Sequence, residues 1–147
     1  MKDLHSQMEI NASAQRVWRL LTDSPSYPPW NPFMRRVSGE AKIGERLQVR
    51  FEPPGSLAIT LRPKVLDSEP NHQLRWLGHL FVPGLFDGQH CFVIQPLREN
   101  RVRFVQREAL RGLLVPLFAR SLDNTLRGFK EMNHALKERA EAVPEGG

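Results

Sequence analysis

The longest regular pattern in this chain is an apolar stripe with the period of a helix, which runs from Leu113 to Ala142. Pro116 fits only the first turn of such a helix, where a missing N–H costs nothing, so we predict one helix from about Leu114 to Ala142. A helix this long and this amphipathic must cover a second layer of structure. At about 100° per residue, the stripe consists of Phe118, Leu122, Leu126, Phe129, Leu136 and Ala140.

The residues before this helix change to a period of two. Apolar and polar residues alternate in short runs separated by turns, which is typical of an antiparallel meander. An earlier strand leads into a short helix, for which Ser13 is the expected N-cap. The prediction is an α+β fold: a curved seven-stranded antiparallel sheet wrapped around the long C-terminal helix, with two short helices after strand 1. The predicted strands are 4–10, 33–40, 47–52, 57–69, 74–77, 90–95 and 101–111.

Composition indicates one globular domain. The chain has 147 residues, of which 40% are hydrophobic and 25% are charged, enough for a core without disulfides. We find no signal peptide and no apolar run approaching the ~18 residues of a membrane span. The single cysteine, Cys91, cannot form an internal disulfide, which favours the cytoplasm. Residues 1–142 are predicted to form one domain and residues 143–147 a disordered tail.

A single helix cannot fill the concave side of a sheet this wide, so we expect a ligand cavity between the two layers. The inward parity of the strands predicts a floor of Trp76, Phe92, Phe104 and Phe129. The same parity turns several polar side chains inward. They either orient a polar group of a ligand or hydrogen-bond to one another. These polar residues are His90, Gln106, Glu108 and, on the helix stripe, Asn133.

Two irregular segments flank the expected cavity. Four prolines make residues 24–32 a stiff connection, on which Tyr27 and Trp30 either rim the cavity or plug the edge of the core. The hairpin loop Leu80–Phe86 has no charged or hydrogen-bonding side chain, where polar turn residues are usual. It is interpreted as a lid over the cavity mouth, a patch that contacts a membrane or a second subunit, or a cover for the core.

Most signatures of catalysis or cofactor binding are missing. The chain has no nucleophile elbow, phosphate loop, dinucleotide fingerprint or zinc motif, so neither a cofactor nor a metal is predicted. His90 and Cys91 point to opposite faces of a strand and cannot form a dyad. If the protein is an enzyme, the sequence leaves Glu108 or His90 as its acid–base group.

The net charge of +5 prompts the question of a nucleic-acid partner. Arginines alternate along the expected outer face of the sheet, and an interaction module that uses this face is one alternative function. A specific nucleic-acid site is not expected, because no aromatic side chains are interleaved for base stacking. The arginines are Arg50, Arg62, Arg75, Arg101, Arg103 and Arg107.

Several short motifs follow one another along the chain: Ile10-Asn11-Ala12-Ser13, Val17-Trp18, Leu21-Thr22-Asp23, the segment 27–33, Gly44-Glu45, Glu69-Pro70, Leu74-Arg75-Trp76, and Phe104 to Glu108 with Gly112. In this order they resemble the START-like or SRPBCC superfamily of helix-grip proteins, in particular its polyketide cyclase/dehydratase and lipid-transport-like branch. The resemblance covers nearly the whole chain and implies a helix-grip fold, with functions that range from hydrophobic-ligand carriers to cyclases.

The function expected from the sequence is the binding or transport of a small hydrophobic ligand, lipid-like or aromatic, by a cytoplasmic monomer or homodimer. The alternatives are a cyclase- or dehydratase-like enzyme and the interaction module. No integral membrane association is expected. The predicted ligand-binding residues are Trp30, Phe33, Phe51, Leu61, Trp76, His90, Phe92, Phe104, Gln106, Glu108, Phe118, Phe129 and Asn133.

Overall fold

The structure is a computed structural model that describes residues 2–142, so the predicted tail at 143–147 lies outside the described residues. Within that range the chain forms eight strands and two α-helices, with short 3-10 turns at Ser24–Ser26 and Val115–Phe118. The elements are β1 (Lys2–Ile10), α1 (Ala14–Thr22), β2 (Met34–Ser38), β3 (Gln48–Phe51), β4 (Ile59–Leu61), β5 (Lys64–Glu69), β6 (Gln73–Leu80), β7 (Phe86–Arg98), β8 (Arg101–Arg111) and α2 (Ala119–Ala142).

The strands form two antiparallel sheets. The larger has the order β1-β8-β7-β6-β5, and the smaller has the order β2-β3-β4. The two sheets meet just before β3, where the amide of Leu47 donates to the carbonyl of Pro63 at 2.9 Å and the backbones of Arg46 and Lys64 form an isolated antiparallel β-bridge. The α+β helix-grip architecture predicted from the sequence is therefore confirmed.

One predicted strand is two strands in the structure. The alternation from Leu57 to Glu69 predicts one continuous strand, whereas in the structure β4 ends at Leu61 and β5 begins at Lys64. Pro63 lies between them, and its missing N–H interrupts a hydrogen-bonded ladder. The chain changes sheets at this proline, which brings the strand count to eight.

The long helix packs its stripe onto the large sheet as predicted, but its α-helical part begins later. Pro116 lies in the 3-10 turn that precedes α2, and the first regular helical residue is Ala119. Phe118 is therefore in the turn and only half-buried, and Leu126 is half-buried as well. The fully packed part of the stripe includes Leu122, Phe129, Met132, Leu136 and Ala140.

Helix α1 closes one end of this layer. Ser13 is its N-cap, as predicted, with Oγ accepting from the amide of Arg16 at 3.1 Å. The Arg16 guanidinium donates to the carbonyls of Ala140, at 2.7 Å, and Arg139, at 3.2 Å. These carbonyls belong to the last turn of α2, so Arg16 joins the two helices at the negative end of α2.

Candidate functional site

A cleft of about 600 Å³ opens at one end of the molecule. Its walls are the segment 53–61, the ends of strands β6, β7 and β8, and the start of α2. Asn124 Nδ2 donates to Ser56 Oγ at 2.8 Å, which satisfies these two polar groups in the wall. Apolar side chains dominate the rest of the lining: Phe33, Phe51, Leu57, Ile59, Leu61, Leu80, Phe86, Leu110, Phe118 and Leu122.

A pair of glycines extends this cleft towards the core. Gly78 and Gly88 face each other across β6 and β7, so the inner side of the sheet lacks side chains there. A small pocket of about 50 Å³ lies beside them and reaches Trp76 and Glu108. The pocket and the cleft adjoin, because they share the lining residues Phe51, Leu61, Leu80, Phe86, Glu108 and Leu110. Glu108 is the charged residue among these six.

The carboxylate of Glu108 is held by a buried histidine. Register places His90 on β7 directly opposite Glu108 on β8, and Nδ1 of His90 lies 3.0 Å from Oε1 of Glu108. The histidine side chain is 1% exposed and the glutamate side chain 17%. A ligand in the cleft would therefore meet Glu108, with His90 behind it as the group that orients the carboxylate.

A chain of side-chain amides continues from His90 into the helix. Nε2 of His90 lies 2.9 Å from Oε1 of Gln106, whose Nε2 donates to Oδ1 of Asn133 at 2.7 Å. Nδ2 of Asn133 then donates to Oγ of Ser6 at 3.1 Å. In this arrangement both ring nitrogens of His90 lie within hydrogen-bond distance of side-chain oxygen atoms, Oε1 of Glu108 and Oε1 of Gln106.

The chain is similar to known proteins in its sequence pattern and in its fold. A family model described as "Polyketide cyclase / dehydrase and lipid transport" matches residues 1–141. The chain belongs to this family. The comparison with curated protein sequences gave no match.

Several solved structures have the same fold as this chain. The chain is similar to the Zhui aromatase/cyclase from Streptomyces sp. R1128, at 18% identity and a TM-score of 0.77 over 99% of this chain and 98% of that chain. It is similar to a START superfamily protein from Mycobacterium smegmatis, at 20% identity and a TM-score of 0.74 over 97% of this chain and 99% of that chain. It is also similar to norcoclaurine synthase from Thalictrum flavum, described in complex with dopamine and hydroxybenzaldehyde. The identity is 14% and the TM-score 0.72, over 98% of this chain and 88% of that chain.

The cleft overlaps the cavity predicted from the sequence only in part. Phe92, Phe104 and Phe129, predicted as its floor, are 0% exposed and pack among themselves and against His90. The centre of the sheet–helix interface is filled by these rings. The cleft lies towards the glycine pair and the start of α2, and of the four predicted floor residues Trp76 borders its inner pocket.

The predicted site residues fall into three groups. Phe33, Phe51, Leu61, Glu108 and Phe118 line the cleft, and Trp76 borders its inner pocket. A second group is buried behind the cleft, so its contact with a ligand stays a prediction: His90, Phe92, Phe104, Gln106, Phe129 and Asn133. Trp30 lies elsewhere.

Trp30 packs on Tyr27 with ring centroids 5.1 Å apart, and neither residue lines the cleft. Tyr27 is 2% exposed and donates a hydrogen bond to the carbonyl of Leu21. The proline-rich connection therefore plugs the edge of the core, and the prediction that Trp30 guards a ligand cavity is corrected. The prolines stiffen the segment but do not determine which side of the sheet it meets.

Three residues near the site were missed by the sequence reasoning. Ser6 ends the amide chain, and Gly78 and Gly88 make the inner pocket. Ser6 has the parity of the buried Leu4 and Ile10 on β1, and Gly88 has that of His90, so the alternation already placed both on the inner face. Nothing in the local sequence showed that the two glycines would be neighbours.

The two histidines of the hairpin both have carboxylate partners, which the sequence did not reveal. Nδ1 of His79 lies 2.7 Å from Oδ1 of Asp87, and this carboxylate also accepts from the amide of Gly84. The His79 hydrogen bond holds the pKa of Asp87 below its usual range. Among residues 2–142 no group of three or more metal-ligating side chains occurs.

The arginine-rich face lies on the outside of the sheets. Arg75, Cys91 and Arg107 follow one another across β6, β7 and β8, and burial raises the pKa of the Cys91 thiol. Arg101 is paired with Glu9 at 2.9 Å, as Arg50 is with Glu52 at 3.0 Å. The expectation that this face has no specific nucleic-acid site stays a prediction.

Proposed function

We propose that this protein binds a small, mostly apolar organic molecule, aromatic or lipid-like, in the cleft. One polar group of the ligand contacts Glu108. The observation that carries the proposal is the carboxylate of Glu108 at the inner end of an apolar cleft, where His90 orients it. Apolar walls with a few placed polar groups are the usual composition of a small-molecule site.

Two further findings support an aromatic ligand. Phe33, Phe51, Phe86 and Phe118 give the cleft flat apolar surfaces suited to rings. In addition, a solved structure with the same fold is described with dopamine and hydroxybenzaldehyde, which are both small aromatic molecules with polar substituents.

Trp76 provides a direct test, because it borders the inner pocket while the other two tryptophans do not. In ¹⁵N-labelled protein titrated with 2-naphthol, we expect the indole N–H signal of Trp76 to shift and those of Trp18 and Trp30 to stay. Naphthalene, which lacks the hydroxyl donor, should bind more weakly. Glu108→Gln keeps a hydrogen-bonding oxygen and should weaken 2-naphthol binding by no more than about tenfold, or ~1.4 kcal/mol.

A matched pair of variants on β7 locates the site. Gly88→Val places methyl groups beside Glu108 and Leu110, both of which lie 3.4 Å from an added Cβ, and should abolish the Trp76 shift. Cys91→Ser changes the opposite face of the same strand and should leave binding unchanged. A Trp76 signal that does not move, or binding that is unaltered by Gly88→Val, would refute the proposal.

A second candidate function is acid–base catalysis, favoured by the His90–Glu108 hydrogen bond. Only Glu108 of this pair reaches the cleft, so it would exchange the proton while His90 positions it. 2-Tetralone in D₂O tests this without knowledge of the natural substrate. Wild-type protein should accelerate loss of the α-proton signal and Glu108→Gln should not, although the ketone still binds. No acceleration by wild-type protein would leave binding as the function.

A further inference from the structure

The cleft mouth is surrounded by large apolar side chains that point into solvent. Five residues from three segments form this apolar rim, with exposures from 60% for Val82 to 91% for Leu57. The rim consists of Leu57, Phe81, Val82, Leu113 and Leu117. Large apolar side chains that are exposed around one cleft usually mark a contact surface.

Backbone contacts hold two of these segments together. The amides of Leu113 and Leu114 donate to the carbonyls of Gly84, at 3.3 Å, and Leu85, at 2.9 Å. Gly112 permits this approach: its φ is +133°, and an added Cβ would lie 2.3 Å from the carbonyl oxygen of Leu85. The ring of Phe118 packs on that of Phe86, with centroids 5.2 Å apart, directly behind the rim.

The third segment faces them across the mouth. Leu57 lines the cleft together with Phe86 and Phe118, and Arg127 Nη2 donates to the carbonyl of Pro54, which ties the segment 53–58 to α2. The rim is thus an ordered set of apolar projections around one opening.

The backbone at Phe81 adds to this evidence. Its φ is +70°, a region that bulky residues rarely adopt because of steric strain. Phe81 is nevertheless 62% exposed, so burial in the described core offsets little of that strain. A contact outside the chain would bury this side chain.

Charge indicates the nature of that partner. Arg111, at the end of β8, and Arg120, in the cleft wall, are exposed beside the rim, and Arg127 lies one turn or two further along α2. Two carboxylates, Asp87 and Asp123, lie in the same segments, and Asp87 is engaged by His79, while Glu108 lies at the inner end of the cleft. Apolar projections flanked by guanidinium groups match an anionic lipid surface, whereas two facing copies of the rim would bring like charges together.

We infer that the apolar rim docks reversibly on anionic lipid membranes, with the cleft mouth against the bilayer. None of the described helices is long and apolar enough to cross a membrane, so the contact is at the surface. Docking in this orientation would let an apolar ligand pass between the bilayer and the cleft without crossing water. That use of the contact rests on the proposed function, but the docking itself does not.

Vesicle co-sedimentation without any cleft ligand tests the docking separately from ligand binding. The protein should sediment with phosphatidylcholine vesicles that contain about 30% phosphatidylglycerol and much less with pure phosphatidylcholine. Binding should weaken in about 0.5 M NaCl, where the Debye length is only a few ångströms. The double variants Phe81→Ser/Val82→Ser and Leu113→Ser/Leu117→Ser should each lower the partition coefficient at least tenfold.

Ile43→Ser is the matched control. Ile43 is also an exposed large apolar residue, at 66%, but it lies in a depression beside Trp18, away from the rim. This variant should bind vesicles as the wild type does, and circular dichroism should show all variants folded. The inference is overturned if wild-type protein does not sediment with anionic vesicles, if the rim variants bind equally well, or if they instead abolish a dimer measured by sedimentation equilibrium.

Discussion

Gly128→Ala is expected to destabilise the protein, although helix propensity alone predicts the opposite. Gly128 is buried inside α2, where alanine is normally favoured over glycine by about 1 kcal/mol. A Cβ at this position would lie 2.4 Å from Cδ1 and 2.6 Å from Cε1 of Phe33. Carbon atoms pack at about 3.5–4.0 Å, so the ring or the helix must move by roughly 1 Å.

The ring of Phe33 has little room to yield. It is 1% exposed and packs between Phe51 and Phe129, with centroid distances of 5.5 Å and 5.7 Å. Overpacking of this kind costs about 1–3 kcal/mol, so after the gain of about 1 kcal/mol in propensity the free energy of unfolding should fall by up to about 2 kcal/mol. Because Phe33 also lines the cleft, the displaced ring should weaken 2-naphthol binding as well.

Urea denaturation followed by circular dichroism measures the change in stability. His134→Ala, on an exposed face of α2, is the control for propensity and should be neutral or slightly stabilising. In a Phe33→Leu background the smaller side chain should relieve the clash, so that Gly128→Ala becomes neutral or stabilising. A Gly128→Ala single variant that is more stable than the wild type would show that Phe33 does not pack on the helix backbone at this position.

Three further predictions follow from individual contacts. Phe129→Ala should cost about 3–5 kcal/mol in urea denaturation, and a loss below about 1 kcal/mol would mean that the helix stripe is not core. Burial raises the pKa of Tyr27, the single tyrosine, above the usual value of about 10. Absorbance near 295 nm should therefore show that Tyr27 ionises only above about pH 10, and the stability of the protein should fall as the pH rises beyond that value. Ionisation of Tyr27 near about pH 10 in the folded protein would contradict this. The hydrogen bond from His79 lowers the pKa of Asp87, so the contribution of the Asp87 carboxylate to loop order is present above about pH 4 and is lost below that. Asp87→Asn should therefore speed hydrogen exchange of the Gly84 amide at neutral pH. Unchanged exchange would show that this carboxylate does not order the loop.

Periodicity in the sequence was sufficient to identify the layers and their facing residues. Alternation along the strands turned His90, Gln106 and Glu108 to the inner side, and the helical stripe did the same for Asn133. These are local properties, because the direction of a side chain depends on the repeat of its own element. The packing of α2 on the sheet follows from the same patterns.

The position of the cleft was decided by the tertiary structure. Open space lies beside Gly78 and Gly88, which are paired across two strands, whereas side chains fill the region where Phe92, Phe104 and Phe129 are buried. The alternation of inward and outward residues is the same in both regions. Such voids depend on which side chains from distant segments meet, and no repeat within one element encodes that.

Contacts between distant segments also explain two further features that the sequence did not show. The sequence showed that Glu108 points inward but not that His90 would bind it, since that distance depends on the register between β7 and β8. It showed an apolar hairpin loop but not that Leu57, Leu113 and Leu117 would join it around one opening. Chain order and period determined the faces of this protein, and the contacts between remote segments determined its site.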